Sequence, residues 1–302
     1  MTYSIVARDP ETGRFGVAVQ TCWPFVGAGV PWVESGVGAV ATQSFTEEAH
    51  GPNGLDRLRA GETAPDALAA LVGADPGREV RQVGIVDALG RAAAHTGSRC
   101  VAAAGHATGV GVSVQANMME RATVWPAMLE TWQTASGPFE ERLLAVLRAA
   151  ETEGGDIRGR QSAVIVVSGT PADPAWKRAT DLRVDDHPAP LDELERLLRL
   201  QRGFEALDEA ERRGAAGDGD GAAAAGREAV RLTDGNDQVL VWQAIGMAGA
   251  GLVEPAQAML AQATAHNPRW PEFVRRVAAA RAQPETVDGA WRLVGGDVPR
   301  PG

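Results

Sequence analysis

Short apolar blocks of β character fill the first half of the chain, and helical spacing takes over in the second. Residues 3–7 and 15–20 are β-rich runs separated by Asp9-Pro10-Glu11-Thr12-Gly13, whose aspartate, proline and glycine favour a turn. Val37-Gly38-Ala39-Val40-Ala41-Thr42 is apolar without alternation, the pattern of a strand covered on both faces. Helices are predicted near 51–60 and 64–73, where Leu68, Leu71 and Val72 keep helical spacing. Residues 81–94 read as a hairpin turning at Asp87-Ala88-Leu89-Gly90, and 110–116 as a further strand. Two helices follow, over 120–134 and 138–153, and then 162–167 as a last buried strand. Strands and helices come in separate blocks. That order predicts layered sheets with outer helices, not a repeating βαβ array.

Beyond residue 168 the pattern changes. Pro171, Pro174, Pro188 and Pro190 punctuate an irregular connection, and from Leu191 the chain is helical and rich in Ala, Glu and Arg. Gly217-Asp218-Gly219-Asp220-Gly221 has the look of a calcium loop but lacks a glutamate at the twelfth position, so it is read as a helix–helix connection. Trp242-Gln243-Ala244-Ile245-Gly246, with Ala258 and Pro268 downstream, has the spacing of one tetratricopeptide repeat, and Ala224 lies 34 positions before Ala258. A generic helical hairpin explains the same residues. The expected division is 1–170, a connecting segment 171–200, and a small all-α domain 201–302.

Composition narrows the function. With 44% hydrophobic and 23% charged residues the 302-residue chain has the make-up of a globular protein, and its net charge of −10 argues against electrostatic binding of nucleic acid. Lys177 is the only lysine, so any lysine-based chemistry would have to use it. Cys22 and Cys100 form no zinc motif, and no metal or cofactor is expected. The start of the chain shows no basic n-region, and no stretch of about 18 apolar residues occurs, so a cytoplasmic protein that does not engage a membrane is expected.

Thr2 opens the first strand pattern, and it is small enough for an aminopeptidase to remove Met1 before it. A threonine with a free amino group carries a hydroxyl nucleophile and an amine base on one residue. Its bland reading is a small residue after the start codon. Cys22, which precedes Trp23-Pro24, is the rival nucleophile, but free cysteines are usually inert.

Several ordered blocks carry a resemblance. They include residues 2–9, Gly16-Val17-Ala18-Val19-Gln20, residues 36–43, Gly51-Pro52-Asn53-Gly54-Leu55, residues 74–79 and 81–87, His106 with Val114-Gln115-Ala116-Asn117-Met118-Met119, and residues 154–163. Over residues 2–168 these blocks closely resemble the DUF1028 family, which is placed among the N-terminal-nucleophile (Ntn) hydrolases. The resemblance implies an α+β fold, a four-layer αββα sandwich, here followed by a small helical-repeat domain. It also implies an amidohydrolase that cleaves a C–N bond in a small molecule through Thr2, without a cofactor. Proteasome-like members of the superfamily tune the amine with a lysine. None is at hand here, which leaves Arg8, Asp9 or a polar strand residue for that task.

Asn117, just past a strand, and Gln43, at the end of one, are the candidate oxyanion amides beside Thr2. A turn-capping role for Asn117 is the alternative. Arg8, His106, Asp156, Arg160 and Gln161 form the expected substrate-binding set; with Arg158, the last three also read as an internal ion-pair network. His95 and His106 are candidate acid–base groups, and Glu47, Glu48 and His50 invite only a weak metal reading. The helical tail is expected to support homo-oligomerisation or to bind a protein partner. The competing expectation is a non-catalytic Ntn-type scaffold whose helical domain binds a protein or a cell-wall fragment.

Overall fold

The computed structural model describes residues 2–280 and 284–294. It divides into two compact units, the first ending at Arg196 and the second beginning at Leu197. The chain has a mixed α+β fold with two antiparallel sheets and, among the described residues, ten α-helices.

Strands β1 (Thr2–Arg8) and β2 (Phe15–Thr21) are the hairpin that the turn at 9–13 predicts. After them come β3 (Pro31–Glu34), β4 (Gly38–Ser44), α1 (His50–Arg59), α2 (Ala64–Ala74), β5 (Arg81–Asp87) and β6 (Ala92–Thr96). The unit continues with β7 (Gly105–Gly109), β8 (Val112–Asn117), α3 (Val124–Thr134), α4 (Phe139–Thr152), β9 (Ser162–Ser168) and β10 (Arg178–Val184). One sheet runs β10-β9-β2-β1-β8-β7 and the other β3-β4-β5-β6. β1 is therefore interior, paired on both edges and buried along nearly its whole length.

Alternation along β1 sorts its side chains. Thr2, Ser4 and Val6 point toward the four-stranded sheet, whereas Tyr3 reaches Glu151 on α4. Val6, Val17, Val19, Val164 and Val166 of the larger sheet pack with Val33, Ala39, Ala41 and Val86 of the smaller one. Each of these valines contributes about 1.5–3 kcal/mol by leaving water. α1 and α2 pack on the four-stranded sheet, and α3 and α4 on the six-stranded one.

β3, β7 and β10 are not among the predicted strands. The proline-rich stretch after residue 168 contains β10, an edge strand whose exposed and buried positions mix, so no continuous apolar run announced it. Helix α5 (Pro190–Ala215) then carries the chain across the unit boundary.

The second unit is helical, with α6 (Gly219–Leu232), α7 (Asp237–Gly249), α8 (Val253–His266), α9 (Trp270–Ala279) and α10 (Pro284–Val294). Asp218 caps α6 by accepting the Gly221 N–H, so only Gly217 and Asp218 of the Gly/Asp run lie in the helix–helix connection, and Gly219-Asp220-Gly221 open α6. Leu240, Ala244, Ile245, Leu260 and Val274 build its core, and Phe273 meets Trp242 and Trp270 edge-on.

Candidate active site

Thr2 sits at the first position of β1 and is only 4% exposed. Ladder parity sets what faces it. The Asp9 N–H donates to the Arg14 carbonyl, which makes Thr2 and Thr21 a non-hydrogen-bonded pair on β2, the closer kind for side chains. Their hydroxyls meet at 3.3 Å, and Thr21 Oγ1 also accepts the Trp23 N–H at 3.2 Å. On the other edge the Arg8 N–H donates to Gly111, so Thr2 and Asn117 are a hydrogen-bonded pair with β8.

Side-chain amides then close on the Thr2 carbonyl. Gln43 Nε2 donates to it at 3.0 Å and Asn117 Nδ2 at 3.2 Å. Both nitrogens also donate at 2.8 Å to Gln82 Oε1. Gln82, fully buried on β5, spends its own N–H groups on Thr96 Oγ1, the Gly105 carbonyl and the Ala116 carbonyl. It is the hub of the cluster, and the sequence reading missed it. Deeper between the sheets Ser4 donates to Gln43 Oε1 at 2.6 Å, Gln115 donates to Ser4 Oγ at 2.6 Å, and Ser113 donates to Gln115 Oε1 at 2.8 Å. Buried amides must be satisfied, and this network satisfies nearly all of them with neutral groups.

The sequence profile of the DUF1028 family, a family of unknown function, matches residues 2–194. The chain belongs to the DUF1028 family. A crystal structure of a DUF1028 protein from Silicibacter pomeroyi is similar to it at 36% sequence identity, with a TM-score of 0.60, covering 66% of this chain and 88% of that one. No curated protein matches the chain.

In this DUF1028 chain the residues singled out from sequence separate into groups. Gln43 and Asn117 do converge on Thr2, but their N–H donors are spent on the Thr2 carbonyl and Gln82, so neither is free to hold an oxyanion. They position the backbone instead. Arg8 lies at the other end of β1, six residues and about 20 Å from Thr2 by strand rise, and cannot tune its amine. Asp9, in the turn beyond it, is excluded for the same reason. Lys177 is at that far end as well, where its carbonyl accepts the Gly169 N–H past β9.

Asp156 is buried near the Thr2 end. It pairs with Arg158 at 2.9 Å and accepts the Cys22 N–H at 3.4 Å, so this part of the expected substrate set holds loops together. Arg160 bonds Glu151 at 3.1 Å and Gln161 bonds Asp186 at 3.1 Å, both structural engagements. Glu151 also accepts from Tyr3 and Gln20, and burial together with that carboxylate pushes the Tyr3 phenol well above its ordinary range.

His106, on β7, reaches the cluster indirectly. Its Nδ1 lies 2.8 Å from Thr96 Oγ1, which accepts from Gln82. Burial, then the neighbouring His95, lower its pKa, and a neutral ring accepting the Thr96 hydroxyl proton fits this geometry. His95 is held by the Arg78 carbonyl at 2.8 Å. His50 is buried against Asp75 at 3.0 Å rather than grouped with Glu47 and Glu48. Among the described residues no group of three His, Cys, Asp or Glu side chains could hold a metal, and no helix is long and apolar enough to cross a membrane.

Proposed function

We propose that this chain is an Ntn-type amidohydrolase of αββα architecture that cleaves a C–N bond in a small molecule through Thr2, once Met1 is removed. The observation that carries the reading is the placement of Thr2: first in an interior strand, nearly buried, its hydroxyl between the sheets against Thr21 and its carbonyl clamped by Gln43 and Asn117. A residue with no role beyond starting a strand has little call for such an investment of buried amides.

In this mechanism the Thr2 amine takes the proton from Oγ as Oγ attacks the substrate carbonyl. The C–N bond then breaks, the proton passes to the leaving amine, and an acyl ester remains on Thr2. Water attacks that ester as the amine takes one of its protons; the ester C–O bond then breaks, the proton passes from the amine to Thr2 Oγ, and the acid is released. No cofactor enters. The helical unit, with α7 and α8 as a tetratricopeptide-like hairpin, serves a protein partner or self-association.

Intact mass of the purified chain, combined with a panel of amides, N-acyl amino acids and cyclic ureides, tests the reading. Met1 absent and turnover lost in Thr2→Ala support it; turnover retained in that variant refutes it. A non-catalytic scaffold is the second reading. The commitment of both candidate oxyanion amides to structural bonds favours it, and retained Met1 would decide for it.

A further inference from the structure

One polar atom of the Thr2 clamp is left over. Asn117 is fully buried, its two N–H groups are engaged, and its Oδ1 has no hydrogen-bond partner. Its orientation is fixed by its neighbours. Nδ2 faces two acceptors, the Thr2 carbonyl and Gln82 Oε1, and Gln82 is itself fixed because its Nε2 faces three acceptors. Turning either amide over would set oxygen against oxygen. A buried carbonyl oxygen without a donor is costly, so this one implies a donor.

A source is offered by the residue directly across the ladder. Thr2 and Asn117 are a hydrogen-bonded pair, so the Thr2 nitrogen faces the Asn117 main-chain carbonyl. As a peptide nitrogen it has one hydrogen for that bond. As a free amine it has more hydrogens than the ladder consumes.

We propose that Asn117 is the positioning residue for the Thr2 α-amine, its Oδ1 accepting an N–H that only a freed amino group can offer. The inference rests on the Thr2 reading above and names the group that takes the place of the absent lysine; Lys177 is at the other end of the strands. With one N–H on the main-chain carbonyl and another on Oδ1, the amine is oriented for proton transfer with the hydroxyl of its own residue. Oδ1 favours the charged amine and so raises its pKa against the lowering effect of burial.

The test uses the full-length chain released from a cleavable amino-terminal fusion so that Thr2 is its first residue, whatever happens to Met1 in the cell. Acetylation of the α-amine is followed against pH by peptide mass mapping. Lys177 is the only competing amine and serves as internal reference. Asn117→Ala should shift the α-amine profile to lower pH, raising labelling at pH 7 about threefold, which is half a pH unit, while Asn117→Asp should shift it the other way. A merely structural asparagine would move neither, and unchanged profiles in both variants overturn the proposal. A crystal structure of the Thr2-first wild type removes dependence on variant folding: the nitrogen should lie within 3.2 Å of Oδ1, and a separation beyond about 4 Å overturns it. Retained Met1 in natural material would count against the hydrolase reading alone.

Discussion

The hydroxyls of Thr2 and Thr21 face each other at 3.3 Å across a non-hydrogen-bonded pair of β1 and β2. Thr21 Oγ1 accepts the Thr2 hydroxyl and also receives the Trp23 N–H. Thr21→Val keeps the shape and removes the acceptor. Acylation of Thr2 by an activated ester should slow about tenfold, with a stability loss of about 1 kcal/mol, as one hydrogen bond suggests. Stopped-flow acylation and urea unfolding check the two parts separately.

Gln82 joins the sheets through five side-chain bonds. Gln82→Leu removes the acceptor shared by Gln43 and Asn117 and strips three acceptors of their donor. A loss of about 3–5 kcal/mol in urea unfolding is expected, since each buried polar group left unpaired costs about 1–3 kcal/mol. A loss below about 1 kcal/mol would mean that water enters the cluster and takes over these bonds.

Gly84 leaves room for the amide network. A Cβ there would lie 2.1 Å from Gln115 Oε1 and 2.9 Å from Ser113 Oγ. Gly84→Ala must push Gln115 off Ser4, and a destabilisation of about 2–3 kcal/mol is expected. In the helical unit a Cβ on Gly289 would lie 2.2 Å from the Ile245 carbonyl, a backbone atom that cannot swing aside, so Gly289→Ala should lower the melting temperature of that unit. Calorimetry distinguishes the two effects.

His106 has a folded-state pKa below its ordinary 6.5, so the unfolded chain binds more protons as the pH falls past that value. Its contribution to stability is complete above about pH 6.5 and is lost as the pH drops through the lowered folded value. Asp75 and Asp87 act in a different window. Burial raises the Asp75 pKa, but the Arg81, Gly77 and His50 hydrogen bonds outweigh it, and this contribution is lost only below about pH 4. Urea midpoints should therefore fall less between pH 7 and 5.5 in His106→Asn than in the wild type.

The first hairpin was legible because turn chemistry at 9–13 separates two runs of strand formers. β7 escaped because Gly105–Gly109 is glycine-bounded and only partly buried, and β10 because an edge strand need not be apolar. Thr2 and its two amides were legible as strand-end polar residues. Gln82 was not, since a glutamine at the second position of a strand looks like an ordinary outward residue. A signal was available: Gln43, Gln82, Gln115 and Asn117 fall in or at the ends of short strand-forming runs, and four amides on three such runs imply a shared buried network. Arg8 was misplaced for a geometric reason, because proximity in sequence along an extended strand means separation in space.

Covalent trapping tests the nucleophile most directly. The purified protein is treated with an amine-sparing electrophilic acyl donor, such as a β-lactone, and the modified residue is located by peptide mass mapping. A single ester adduct on the Thr2 hydroxyl, absent in Thr2→Ala, is the predicted result; an adduct on Cys22, or none on the peptide that begins with Thr2, would contradict it.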